Sequence, residues 1–188
     1  MGIHKQSLRA LRKIALAHCR GDHPDLAALA RELGSAIHRQ ADRLEANLAD
    51  LYAPGRAFTR WPLRAGAGLR MVVMAWPANH ASPVHDHGSR WGLEISLHGA
   101  LEVESWSRDP RSGELQRQAR HWLGPGDAVW FDADESRVHR CRNLSRRDTA
   151  LSLHIYGGTP DFAPAYQPVM DERATQAPHT AIAGPLQG

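Results

Sequence analysis

The 188-residue chain is 23% charged and 42% hydrophobic, ordinary values for a globular chain, and its length fits one domain with a sizeable core. A formal charge of only +3, with no recognition motif beside it, argues against a nucleic-acid surface. No apolar run approaches the ~18 residues of a membrane span, and the stretch 14–17, interrupted by His18 and Arg20, is too short for a secretory signal.

Residues 4–51 are predicted helical. Leu8, Leu11, Ile14 and Ala15 recur at helical spacing, and Asp22 with Pro24 signals the start of a second helical stretch. Leu26, Leu29, Ala30 and Leu33 share one face of it, and Ile37, Ala41, Leu44 and Leu48 continue that face beyond Gly34. Such a stripe is expected to pack on a β-core. From about Phe58 the pattern shortens to runs at 69–76, 93–97, 101–106, 128–131 and 151–156, bounded by Gly, Pro, Asn and Asp. Short strands with close turn signals predict an antiparallel sandwich or barrel over residues 58–162, with a hairpin loop at 108–113. The segment 163–188 is rich in Pro, Ala and Gln, has no periodicity, and is predicted to be an extended tail. The whole reads as a single mainly-β domain. Cys19 and Cys141 form no CxxC pair or disulfide framework and read as free thiols of a reducing, cytoplasmic compartment.

Of the twelve histidines, the informative ones are the pair in Pro83-Val84-His85-Asp86-His87 and His139, 52 residues after it. Residues two apart on a strand project from one face, so His85 and His87 can hold one metal ion through imidazole nitrogens at ~2.1 Å. A third ligand must come from another strand. Gly124-Pro125-Gly126-Asp127 supplies a tight turn, and the strand after it leads to His139 and Asn143.

His85-x-His87 with Gly99 downstream resembles the first motif of the cupins, and Pro125-Gly126-Asp127 leading to His139-x-x-x-Asn143 resembles the second. The resemblance implies a double-stranded β-helix, the jelly-roll cupin barrel, preceded by helices. Most cupins add a glutamate ligand near the position of Gly92; Glu94 is offset from it by two, which leaves three neutral histidines with open positions on the metal. The region around the pair, together with Ser152-Leu153-His154-Ile155-Tyr156, is similar to the thiol dioxygenases, the family of cysteine dioxygenase. That likeness covers roughly residues 58–156 and the helices before them.

The thiol dioxygenase resemblance implies a non-haem iron(II) cofactor on His85, His87 and His139. It also implies a small thiol carboxylate and O2 as partners, with both oxygen atoms added to sulfur to give a sulfinic acid. Ser152 would orient His154, and His154 would hold Tyr156, whose phenol donates to bound oxygen or to the substrate carboxylate. Arg60 stands where cysteine dioxygenases place a carboxylate-binding arginine and where relatives preferring 3-mercaptopropionate carry glutamine. Arg64 and Arg90 are further anion-binding candidates. Gly92 replaces the cysteine that mammalian members crosslink to the active-site tyrosine, so no crosslink is expected. The runs 89–93 and 156–158 are more like the mercaptopropionate enzymes, whereas Arg60 is like the cysteine type; mercaptosuccinate, which needs a further arginine, also remains open. Two other readings compete: an iron cupin oxidising a non-thiol substrate, and a small-molecule-binding cupin without turnover.

Overall fold

Periodic leucines build the helices as expected. The computed structural model describes residues 4–157, except 22, 54, 67, 89 and 135, and residues 181–182; the side chains of residues 4–7, 64, 181 and 182 lie outside the description. Helices α1 (His4–His18), α2 (Leu26–Arg39) and α3 (Ala41–Leu48), with a short 3-10 turn at Ala49–Leu51, precede the strands. The N-cap of α2 is Asp25, whose Oδ1 accepts the Ala28 N–H at 2.8 Å, so the helix starts beyond Asp22. The apolar face read as continuous breaks at Gln40, where α2 ends and α3 begins.

The strands are β1 (Thr59–Gly66), β2 (Leu69–Trp76), β3 (Gly92–His98), β4 (Leu101–Arg108), β5 (Leu115–Leu123), β6 (Ala128–Phe131), β7 (Arg137–Asn143), β8 (Ala150–Gly157) and β9 (Ala181–Ile182). They form a six-stranded sheet in the order β6-β3-β8-β2-β1-β9 and a three-stranded sheet in the order β5-β4-β7. All described pairings are antiparallel except that of β9, which runs parallel to β1. Two sheets enclosing one interior, with helices against one of them, agree with the expected cupin barrel. In the tail, residues 181–182 are paired; the rest of 158–188 lies outside the described residues.

The larger sheet is covered on both faces, which is why β2 reads as an almost unbroken apolar run. Met71, Val73 and Ala75 of β2, Leu93, Ile95 and Leu97 of β3, and Leu151, Leu153 and Ile155 of β8 share a core with the helical leucines. The alternate residues Val72, Met74, Trp76 and Ala150 pack inside the barrel with Leu101, Val103, Leu123 and Cys141. Ser152, His154 and Tyr156 are in phase with Ala150, and Gly92 and Glu94 alternate with Leu93 and Ile95, so the period of two aims all of them at the interior.

On the outer face of the smaller sheet, Glu102 and Glu104 are buried beneath arginines. Arg120 and Arg142 pair with Glu102 at 3.4 and 2.9 Å; Arg117, Arg120 and Arg140 pair with Glu104. Four arginines are therefore engaged in neutralising two buried carboxylates.

Candidate metal centre and substrate cavity

The segment between β2 and β3 runs along the edge of β7 and makes isolated bridges at Ala81↔Arg142 and His85↔His139. His85 and His139 exchange both backbone hydrogen bonds, N to O, at 3.0 and 2.9 Å. Directly opposed residues in such a pair project to the same side, and His87, two residues on, joins them. Asn143, at the end of β7, anchors this path by donating from Nδ2 to the carbonyls of Trp76, Pro77 and Asp148 at 2.8, 3.0 and 2.8 Å.

Ligand atoms of His85, His87 and His139 all lie within 4.8 Å of one another. The Nε2 atoms of His87 and His139 are 3.0 Å apart. Two nitrogens bound at ~2.1 Å to one ion at a right angle would be about 3.0 Å apart, so this spacing fits a shared metal. His85 Nδ1 donates to the Pro83 carbonyl at 3.0 Å, which leaves Nε2 as its ligand atom. His87 is stacked on Phe131, with ring centroids 4.8 Å apart and planes within 12°, which fixes its ring.

Burial, reinforced by the neighbouring His139, pushes His85 down to about 3; burial, His139 and His85 push His87 down to about 2. Both are therefore neutral at physiological pH, the form in which an imidazole can bind a metal. Because the unfolded chain takes up these protons near the ordinary value of 6.5, stability falls as pH drops below it. Each histidine contributes up to about 1.4 kcal/mol per pH unit. The melting temperature of the metal-free protein is expected to fall between pH 7 and pH 5, followed by circular dichroism. A flat profile over that range would contradict neutral His85 and His87 imidazoles in the folded chain.

Beside the histidines, the inner row of β8 forms a hydrogen-bonded chain. Trp76 Nε1 donates to Ser152 Oγ at 2.8 Å, Ser152 Oγ lies 2.7 Å from His154 Nε2, and His154 Nδ1 lies 2.9 Å from the Tyr156 hydroxyl. The Tyr156 ring approaches His87 to 4.8 Å between centroids. The cavity between the sheets is lined by His85, His87, His154 and Tyr156 together with Arg60, Arg70 and Arg90.

Residues 37–167 match the family described as Cysteine dioxygenase type I. The chain belongs to that family. Cysteine dioxygenase type 1 of Homo sapiens is 27% identical over 112 residues, covering 58% of this chain and 55% of the human one. The Danio rerio protein of the same name is 25% identical over 108 residues, 56% of this chain and 52% of its own. The chain thus spans about half the length of the curated relatives it matches. Among solved structures, the TT1209 protein from Thermus thermophilus aligns with a TM-score of 0.44 at 21% identity, covering 55% of this chain and 86% of that one. An oxalate oxidase in complex with the substrate analogue glycolate aligns with a TM-score of 0.45 at 15% identity, covering 60% of this chain and 56% of that one.

The cysteine dioxygenase type I match takes in all nine residues singled out in the sequence. The structure brings His85, His87 and His139 together, places Ser152, His154 and Tyr156 in one row, and puts Arg60 and Arg90 on the cavity wall. Arg64 lies on β1, and its side chain is outside the described residues. At Gly92 the absence of a side chain has a steric reason: a Cβ there would stand 2.2 Å from Phe131 Cζ and 2.9 Å from Tyr156 Cδ1. Gly157 likewise accommodates the Trp91 indole, whose Nε1 would be 2.2 Å from a Cβ.

Sequence reasoning missed Arg70 and Glu94. Arg70 is in phase with Val72 and Met74 on β2 and in register with Tyr156, so a charge at an inward position was the available signal. Glu94 was set aside because its offset from the usual cupin glutamate is two, yet two is the strand period and keeps it on the inner face. Its Oε1 lies 3.2 Å from His139 Nε2 and 3.1 Å from His154 Nδ1, and its Oε2 accepts from Cys141 Sγ at 3.0 Å. Burial alone would raise the Glu94 carboxyl, but the neighbouring His139 and His154 hold it well below the ordinary carboxylate range. Burial and the Glu94 charge together push the Cys141 thiol well above its ordinary value.

Proposed function

We propose that this chain is a non-haem iron(II) thiol dioxygenase that converts a small thiol carboxylate and O2 into a sulfinic acid in the cytoplasm. The observation that carries the reading is the three-histidine cluster and the Ser152–His154–Tyr156 row side by side at one arginine-lined cavity, to whose lining His85, His87, His154 and Tyr156 contribute. The donor set, three imidazoles, suits iron(II) and leaves coordination positions for other groups. Iron(II) held by His85, His87 and His139 would supply thiolate formation and O2 activation. The balance is RSH + O2 → RSO2H, with O2 as the oxidant of sulfur.

The protein's own residues account for the rest. Arg60, Arg70 and Arg90 receive the carboxylate, for which a guanidinium provides two parallel donors. Three arginines lining the cavity provide for a monocarboxylic thiol, such as cysteine or 3-mercaptopropionate, and extend to a dicarboxylic one such as mercaptosuccinate. Ser152 and His154 hold the Tyr156 phenol beside His87, where it donates to the reacting oxygen or the substrate carboxylate. Tyr156→Phe removes a hydroxyl and no metal ligand. It is expected to lower kcat by about tenfold to a hundredfold with metal content unchanged, measured by steady-state O2 uptake and metal analysis.

The deciding experiment is O2 uptake by anaerobically iron(II)-loaded protein with cysteine, 3-mercaptopropionate and mercaptosuccinate, with mass spectrometry of the products. A product heavier by two oxygen atoms supports the reaction and ranks the substrates. No uptake with any thiol, despite bound iron, overturns it in favour of a non-thiol substrate or a binding protein.

A further inference from the structure

The row Trp76–Ser152–His154 constrains its own protons. Trp76 Nε1 only donates, so Ser152 Oγ accepts from it at 2.8 Å and must still place its hydroxyl proton. Ser152 is 1% exposed, where an unplaced proton carries the cost of a buried unmade bond. If His154 Nε2, 2.7 Å away, bore hydrogen, the serine oxygen would accept twice and neither neighbour in the row could take its proton. A bare Nε2 accepts that proton. At the other side of the ring, Nδ1 lies 3.1 Å from Glu94 Oε1, a carboxyl oxygen placed to accept. The other Glu94 oxygen already accepts from Cys141 Sγ at 3.0 Å. Both ends of the imidazole therefore favour the same tautomer, with hydrogen on Nδ1. The Ser152 hydroxyl can turn to suit either form, whereas the Glu94 oxygens, both engaged as acceptors, offer no proton.

We propose that Glu94 is a positioning residue that fixes His154 as the Nδ1–H tautomer and so prevents Tyr156 from giving its phenol proton to the imidazole. The Tyr156 oxygen lies 2.9 Å from Nδ1, and against an N–H it can only accept. Its own proton is thereby directed to an acceptor other than His154, the arrangement a donor to bound substrate requires. With the opposite tautomer the phenol would donate to Nδ1 and the proton would be committed. The use of that proton rests on the reaction proposed above; the tautomer does not.

The test is long-range 1H–15N spectroscopy of 15N-histidine-labelled protein, metal-free and zinc-loaded, with neither thiol nor O2 present. Wild-type His154 is expected to show a protonated Nδ1 and an unprotonated Nε2. Glu94→Gln, whose amide can donate, should shift His154 towards Nε2–H, and Glu94→Leu, which removes the acceptor, should do the same. At full iron occupancy Glu94→Gln should lower kcat about tenfold with KM nearly unchanged, a split expected when proton donation and not binding is impaired. An Nε2–H tautomer in the wild type, or an unchanged Nδ1–H tautomer in either variant, overturns the proposal. If a variant does not fold, the wild-type spectrum and the other variant still decide. Absence of thiol oxidation with the wild-type tautomer intact counts against the reaction and leaves the assignment standing.

Discussion

His139→Ala is expected to yield a folded protein that retains no stoichiometric iron after gel filtration and shows no thiol-dependent O2 uptake. His139 is the member of the trio that links both halves of the site. Its backbone is bridged to His85, its Nε2 lies 3.0 Å from that of His87, and the same atom lies 3.2 Å from Glu94. Loss of an outer partner of a metal ligand costs roughly 10–100-fold in affinity, and loss of a ligand itself should cost more. The fold should survive, because the strand is held by backbone pairing with β4 and by Asn143, neither of which needs the imidazole. Metal analysis read beside circular dichroism separates the two effects. Stoichiometric iron in a folded His139→Ala would remove the three-histidine centre from consideration.

Gly92→Ala is expected to damage stability and turnover together. In register, Gly92 faces Phe131 on one side and Tyr156 on the other, and both rings occupy the space its side chain would take. A methyl group cannot stand 2.2 Å from an aromatic carbon, so Phe131 or the strand must move. Phe131 is also the ring on which His87 is stacked. Overpacking of this kind costs typically about 1–3 kcal/mol. Displacing His87 and Tyr156 should lower kcat by more than that loss alone implies. Thermal denaturation and steady-state kinetics check both; unchanged values would mean that the Phe131 ring yields freely. A cysteine at this position meets the same obstacle, so Gly92→Cys should not create the tyrosine crosslink while Phe131 keeps its place.

Much of the architecture was legible because burial leaves a period in the sequence. The run at 69–76 marked β2, the spacing of two in His85-x-His87 marked a pair of imidazoles that the structure brings together, and the leucines of α1 and α2 marked the helices. β5 was not legible. Its residues are exposed and polar over most of their length, and its own arginines pair with buried glutamates of β4, so no apolar alternation marks it. β1 was blurred by Pro62, Arg60 and Arg64, residue types that depress strand signals. At the site, motif spacing singled out the three histidines that the structure brings together, but Glu94 required knowledge of which face a residue takes. Arg70 was hidden for the opposite reason: it sits in a run so apolar that its single charge read as incidental.

The shared strands β2, β3 and β8 carry helix-packing residues and cavity residues in strict alternation. A consequence is that insertions and substitutions have opposite reach. One residue inserted into β8 ahead of Ser152 would turn the whole row outward against the helices and bring leucines to the metal, an all-or-nothing failure. Point changes on one face, by contrast, leave the other face's aim untouched. Variation in substrate preference is therefore channelled into inward side chains and into the segment between β2 and β3, while the length of the strands is held fixed.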